Sequence, residues 1–204
     1  CLAALAAEAP TDVAPSSGTL VAVAHEHADQ SIACDLLRAL AAVAAERPDV
    51  VAEHADAIAD VLERRRGYDR CGIEAIAHVS EYAPTAVEPA GPILVDALSV
   101  NPTENGGPAL RALGRLARSE ATLPSLEFVT DAAALVAHDD RSLRHSAIGC
   151  LGDVAHRDSA AVASVAAELE AALSFPDPDT RALAVATIGH VAASADTVIE
   201  PIRW

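Results

Sequence analysis

The stretch PDPDTRALAVATIGHVA, residues 176–192, repeats in loose form what HDDRSLRHSAIGCLGDVA sets down at residues 138–155. In both, an acidic turn leads through an arginine into an apolar run that ends on a branched aliphatic residue and a glycine, Ile188-Gly189 and Leu151-Gly152. Aligning such apolar anchors carries the echo through the chain: Leu5, Leu40, Ile76, Leu113, Leu151 and Ile188 are 35, 36, 37, 38 and 37 residues apart. A period of this length marks an array of supersecondary units. Steps of three around the anchors, as in Leu37-Leu40-Val43, Ile73-Ile76-Val79 and Ile148-Leu151-Val154, place the apolar residues on one helix face.

A second register follows the first, with Leu62, Leu98, Val136 and Leu173 spaced by 36, 38 and 37 residues, so each unit holds two amphipathic helices. Pro48 and Pro84, eight residues past their anchors, mark the turn between them, because proline suits a first helical turn and blocks continuation of the preceding helix. RRRGYD at 64–69, SVNPTENGGP at 99–108, AHDD at 137–140 and FPDPD at 175–179 read as unit boundaries, breakers with acidic N-caps. Short hairpins cannot bury their apolar faces alone, so the expectation is an all-α fold, a right-handed α-solenoid of about five stacked antiparallel hairpins. A helix bundle is the competing architecture, disfavoured by the even spacing. The units fall near 1–28, 29–66, 67–103, 104–139, 140–176 and 177–204, one domain over 1–204. Leu2 and Leu5 read as the last turns of a first helix and VIEPIRW at 198–204 as a curtailed second one, as in a piece of a longer solenoid.

The order Asp177, Asp179, Arg181, Ala184, Ile188, Gly189, repeated by Asp139, Asp140, Arg144, Ala147, Leu151, Gly152, resembles the HEAT-repeat family, including its lyase-type members. That resemblance implies the HEAT/armadillo-like superhelix and an inter-repeat ladder of acid and arginine, here Asp140, Arg144, Asp177, Asp179 and Arg181. An arginine fork is suited to joining carboxylates of neighbouring turns. The match weakens upstream, where Gly106, Asp69 and Ala33 occupy the arginine column.

Composition constrains the chemistry. Thirty acidic residues against fourteen basic ones, all arginine, give a formal charge of −16, and such a field repels nucleic-acid backbones and anionic membranes. The same balance resembles the surface chemistry of proteins from extremely salt-loving archaea, where acidity serves solubility. Aromatic residues are 2% of the chain and alanine fills 48 positions, so the core is built from small side chains in close approach. No run of eighteen apolar residues indicates a membrane span, and the opening CLAALAAEAP lacks a basic leader, which makes the cytoplasm the expected location. Cys1, Cys34, Cys71 and Cys150 form no CxxC pair and read as free thiols in apolar helix positions.

Catalytic, cofactor and metal sites are not expected. HEH at 25–27 has no HExxH spacing, and Ser146 after His145 departs from the His-Glu pairs of HEAT-fold di-iron hydroxylases. His78, Arg115, Asp153 and His190 share a column two residues past the anchors and read as a polar edge. Arg64, Arg65 and Arg66 read as stabilising a helix C-terminus. Second helices carry an acidic track, Glu53, Asp56, Asp60, Asp96, Glu127, Asp131 and Glu168, which in a HEAT solenoid lines the concave face. Two readings of it compete: salt-adapted decoration, and a surface that recognises a basic segment of a protein partner. The expected function is a non-enzymatic protein-interaction scaffold. Its alternatives are a HEAT-fold enzyme or enzyme-associated module, lyase- or hydroxylase-like, whose active residues lie outside this segment, and a nucleic-acid-handling HEAT protein.

Overall fold

Small and branched aliphatic residues at helical spacing produce an all-helical chain in the computed structural model, which describes residues 2–65, 69–123 and 125–196. Arg66, Gly67, Tyr68, Cys1 and the stretch 197–204 that includes VIEPIRW lie outside the described residues. Fourteen α-helices follow in order among those residues: α1 (Leu2–Glu8), α2 (Pro10–Val13), α3 (Ser17–Glu26), α4 (Ser31–Glu46), α5 (Pro48–Ala52), α6 (Ala55–Arg64), α7 (Arg70–Tyr82), α8 (Gly91–Val100), α9 (Pro102–Arg118), α10 (Phe128–Ala134), α11 (Arg141–Arg157), α12 (Ser159–Ala163), α13 (Ala166–Ala172) and α14 (Pro178–Asp196). Two 3-10 segments, Ala14–Ser16 and Pro84–Ala90, join them. No described residue is in a strand.

The chain divides into two compact units, Cys1–Pro124 and Ser125–Trp204. In the first, the first helices of successive repeats pack side by side, α1 on α4, α4 on α7 and α7 on α9. Second helices do the same, α3 on α6 and α6 on α8, and each also packs on the next first helix, α3 on α4, α6 on α7 and α8 on α9. The second unit repeats the pattern, with α11 on α14, α10 on α13, α10 on α11 and α13 on α14.

This stacking buries the inner anchors completely: Leu40, Ile76 and Leu113 in the first unit and Leu151 in the second are each 0% exposed. Full burial of such a side chain contributes about 1.5–3 kcal/mol. Leu5 is exposed and Ile188 half-buried, since α1 and α14 have a first-helix neighbour on one side only among the described residues. Alanines fill the close approaches between helices, among them Ala33, Ala75, Ala112 and Ala147, all 0% exposed. Phe128 is the one aromatic ring among the large fully buried side chains.

Three details depart from the sequence reading. The turn between paired helices is itself helical, as α5, α12 and the 3-10 segment Pro84–Ala90, with Pro48 and Pro84 at their first positions. The boundary expected across residues 99–108 is confined to Asn101, which caps α9 while Pro102 occupies the first turn. The helix then runs through Gly106, Gly107 and Pro108, held by burial of Gly106 and Pro108. Leu173 is exposed, because α13 ends at Ala172 and turns Leu169 and Ala172 inward instead.

Acidic caps hold two of the first helices, α7 and α11, where the breakers predict them. Asp69 accepts a bond from Cys71 N at 2.9 Å and Asp140 from Leu143 N at 3.0 Å, each satisfying an otherwise orphaned donor.

Candidate functional site

Two arrangements carry most of the polar chemistry. One lies within the second unit, at the turn that leads into α14. Asp177 is at its centre: Thr180 Oγ1 donates to Asp177 Oδ2 at 2.7 Å, His145 Nε2 lies 3.0 Å from the same oxygen, and Arg141 Nε lies 3.2 Å away. Arg141 also pairs with Asp179. Arg144, almost wholly buried, donates from Nε to Thr180 Oγ1 at 3.1 Å and from Nη1 to His138 O at 2.7 Å and Asp139 O at 3.3 Å. Its guanidinium lies 4.6 Å from the centre of the Phe175 ring and 3.8 Å from Asp177. The Thr180 hydroxyl bond, then His145 and Arg141, hold the Asp177 carboxyl down at about 2.

Arg144 and Asp177 are therefore brought together across consecutive repeats, whereas Asp140 serves as the α11 cap and Arg181 turns to the carbonyls of Phe175 and Pro176 at 2.7 and 2.8 Å. Those two carbonyls stand 37 residues after His138 and Asp139, the carbonyls that Arg144 grips. The same loop-closing device thus recurs one repeat later. In the first unit, Arg65 does comparable work from another position. It leaves the end of α6 and donates to Ala28 O at 2.7 Å, Gln30 O at 3.0 Å and Cys34 Sγ at 2.7 Å. Arg65 thus does two things: its backbone N–H caps α6 on Val61 O, while its side chain clamps the preceding inter-repeat turn, and Arg64 adds a basic residue to the last turn of α6.

Two residues of the expected polar edge reach neighbouring helices. Arg115 ties α9 to the end of α7 through Ala77 O at 3.2 Å and Glu81 at 2.5 Å. The His190 ring lies 4.1 Å from that of His156. Cys34, Cys71 and Cys150 are free thiols, and burial pushes all three upward in pKa. Among the described residues no group of three or more His, Cys, Asp or Glu is placed to hold a metal ion, and no helix is long and apolar enough to cross a membrane.

The second arrangement is the surface of the second helices. Glu53 caps the end of α5; Asp56 and Asp60 lie on α6 and Asp96 on α8, all four exposed and within the first unit. In the second unit, Glu127 precedes α10, Asp131 is on α10 and Glu168 on α13; Asp131 is half-buried and the other two are exposed. Position separates their roles. Asp56, Asp131 and Glu168 occupy first turns, where the helix dipole alone favours a carboxylate. Asp60 and Asp96 stand in the bodies of α6 and α8, where the dipole contributes nothing, 36 residues apart on helices that pack together. Near them, Asp56, Thr85, Ala86, Glu88, Pro89 and Pro92 line an open depression of about 560 Å³. Sequence reasoning missed Thr85, Glu88 and both prolines as a surface feature, since the only signal was proline density after Pro84.

No protein-family model matches the chain, and no curated protein matches it. Solved structures do. Two crystal structures of engineered proteins superpose with TM-scores of 0.75 and 0.72 at 19% and 21% identity, each over 94% of this chain and over 87% and 89% of theirs. A designed armadillo repeat protein, in complex with the peptide (KR)4, superposes with a TM-score of 0.72 at 16% identity, over 93% of this chain and 90% of its own. At such identities the likeness concerns fold alone. With the repeated packing of first and second helices, it makes this chain an all-α solenoid of helical repeats.

Proposed function

We propose that the chain is a protein-binding scaffold whose second-helix carboxylates take a basic segment of a partner protein. The observation that carries this reading is the pair Asp60 and Asp96, exposed carboxylates one repeat apart on packed second helices, beyond the first turns where the helix dipole favours acids. A chain of formal charge −16 attracts a cationic segment at long range, and aligned carboxylates give it a register to settle into. The designed armadillo protein of similar fold, solved with the alternating basic peptide (KR)4, supports the same kind of partner. Acidity opposes contact with phosphate backbones, which sets nucleic acid aside.

The test is fluorescence anisotropy of labelled (KR)4 against the wild-type chain and a variant with Asp60→Asn and Asp96→Asn. Exposed ion pairs contribute under about 1 kcal/mol each, so the two changes together weaken binding about fivefold and flatten its dependence on salt. Equal affinity and equal salt dependence of variant and wild type would leave the carboxylates as solubility decoration.

A further inference from the structure

The depression beside Asp56 has Ala86, Pro89 and Pro92 in its lining as well as Asp56, Thr85 and Glu88. Its volume is about 560 Å³, and it is open to solvent. Asp56 enters from the first turn of α6, Thr85, Ala86, Glu88 and Pro89 from the 3-10 segment, and Pro92 from the start of α8. The floor is stiff. Pro84, Pro89 and Pro92 fix three backbone torsions, and Val87 and Ala90, 0% and 1% exposed, root the segment in the core where it packs against α6. A preformed cleft of this kind costs a ligand little in ordering the protein.

Prolines and an alanine that share one lining with two carboxylates match one kind of side chain. The methylene stem of arginine or lysine lies along apolar surface while its head stays hydrated and meets a carboxylate. A neutral apolar side chain would leave Asp56 and Glu88 unanswered, and an acidic one would be repelled. Asp56 is also one helical turn from Asp60, on the same side of α6, so a chain held at Asp60 has the depression within reach of a neighbouring residue.

We propose that this depression seats one basic side chain of the segment bound by the second helices, with Asp56 and Glu88 gripping its head and Ala86, Pro89 and Pro92 its stem. The inference rests on the reading of the second-helix surface as a site for a basic segment. It is tested by titrating (KR)4, and a set of peptides in which each basic residue in turn is replaced by 2,3-diaminopropionic acid, a short cation without the stem. The titrations compare wild type, the pair Asp56→Asn/Glu88→Gln and the pair Asp60→Asn/Asp96→Asn, with circular dichroism as the control for folding. The expected result is one peptide position where shortening weakens binding to wild type about fivefold, a penalty that persists in Asp60→Asn/Asp96→Asn and vanishes in Asp56→Asn/Glu88→Gln. If every position tolerates shortening, or the penalty survives Asp56→Asn/Glu88→Gln, the depression is not the seat, although binding that falls with Asp60→Asn/Asp96→Asn would keep the wider surface intact. Failure of wild type to bind (KR)4 would overturn both.

Discussion

Asp177 shows how one side chain ties two repeats together. Its carboxyl ionises at about 2, held there first by the Thr180 hydroxyl and then by His145 and Arg141. Unfolded, the same group titrates near about 3.9. Its contribution to stability is therefore complete above the unfolded value and is lost as pH falls from there toward 2. Urea unfolding of Asp177→Asn should show a lower midpoint than wild type at neutral pH and a smaller loss of stability between those two values; identical acid limbs would contradict the role. Glycines separate by what surrounds them. A Cβ at Gly72 would stand 2.6 Å from Leu62 Cδ2 and 3.3 Å from Leu37 Cδ1, both fully buried side chains, whereas one at Gly149 meets nothing within 4 Å. Overpacking costs about 1–3 kcal/mol and the helix gains up to about 1 kcal/mol from alanine over glycine. Gly72→Ala should thus destabilise and Gly149→Ala stabilise, as thermal unfolding of the two variants would read. Neither outcome is legible in the sequence, where both are glycines inside helices. The glycine of Leu151-Gly152 has a reason of its own: a Cβ there would come 3.0 Å from Thr187 Oγ1, which bonds Ile148 O across the helix pair.

At the scale of elements, the repeat spacing predicted which residues face inward, because burial in a stack depends on helical phase and little else. Leu40, Ile76, Leu113 and Leu151 are wholly buried for that reason, as are Leu62 and Leu98 on the second helices. Phase fails where a helix stops early, which is how Leu173 becomes exposed beyond α13, and it says nothing of loops closed by long side chains. Arg65 reaches back 35 and 37 residues to Gln30 and Ala28, a distance over which a run of three arginines gives no direction. The acidic surface was legible as a list of carboxylates. The division between dipole-favoured and body positions, and the proline-walled depression, needed helix boundaries that shift by a residue or two from any pattern. The donors of Arg144 satisfy two carbonyls of the turn before α11 and the Thr180 hydroxyl at the start of α14, all within the second unit. Arg144→Ala should cost about 2 kcal/mol by removing a charged donor from two part-buried carbonyls and the Thr180 hydroxyl, and Arg144→Lys should recover only part of that, since an ammonium lacks the fork. Hydrogen exchange should quicken in α11 and α14 while α4 and α7 keep wild-type rates; uniform acceleration would contradict a local clamp.

For the molecule as a whole, charge and recognition make opposite demands on salt. A formal charge of −16 repels itself, so added salt should raise the thermal midpoint of the free chain while it weakens attachment of a basic peptide. Decoration for solubility predicts the first trend alone. If the second helices form the binding surface, hydrogen–deuterium exchange with and without (KR)4 reads it directly. Slower exchange is predicted on α6 and α8 of the first unit, with its first helices α4 and α7 unchanged. Protection confined to the first helices, or no protection at saturating peptide, would contradict it.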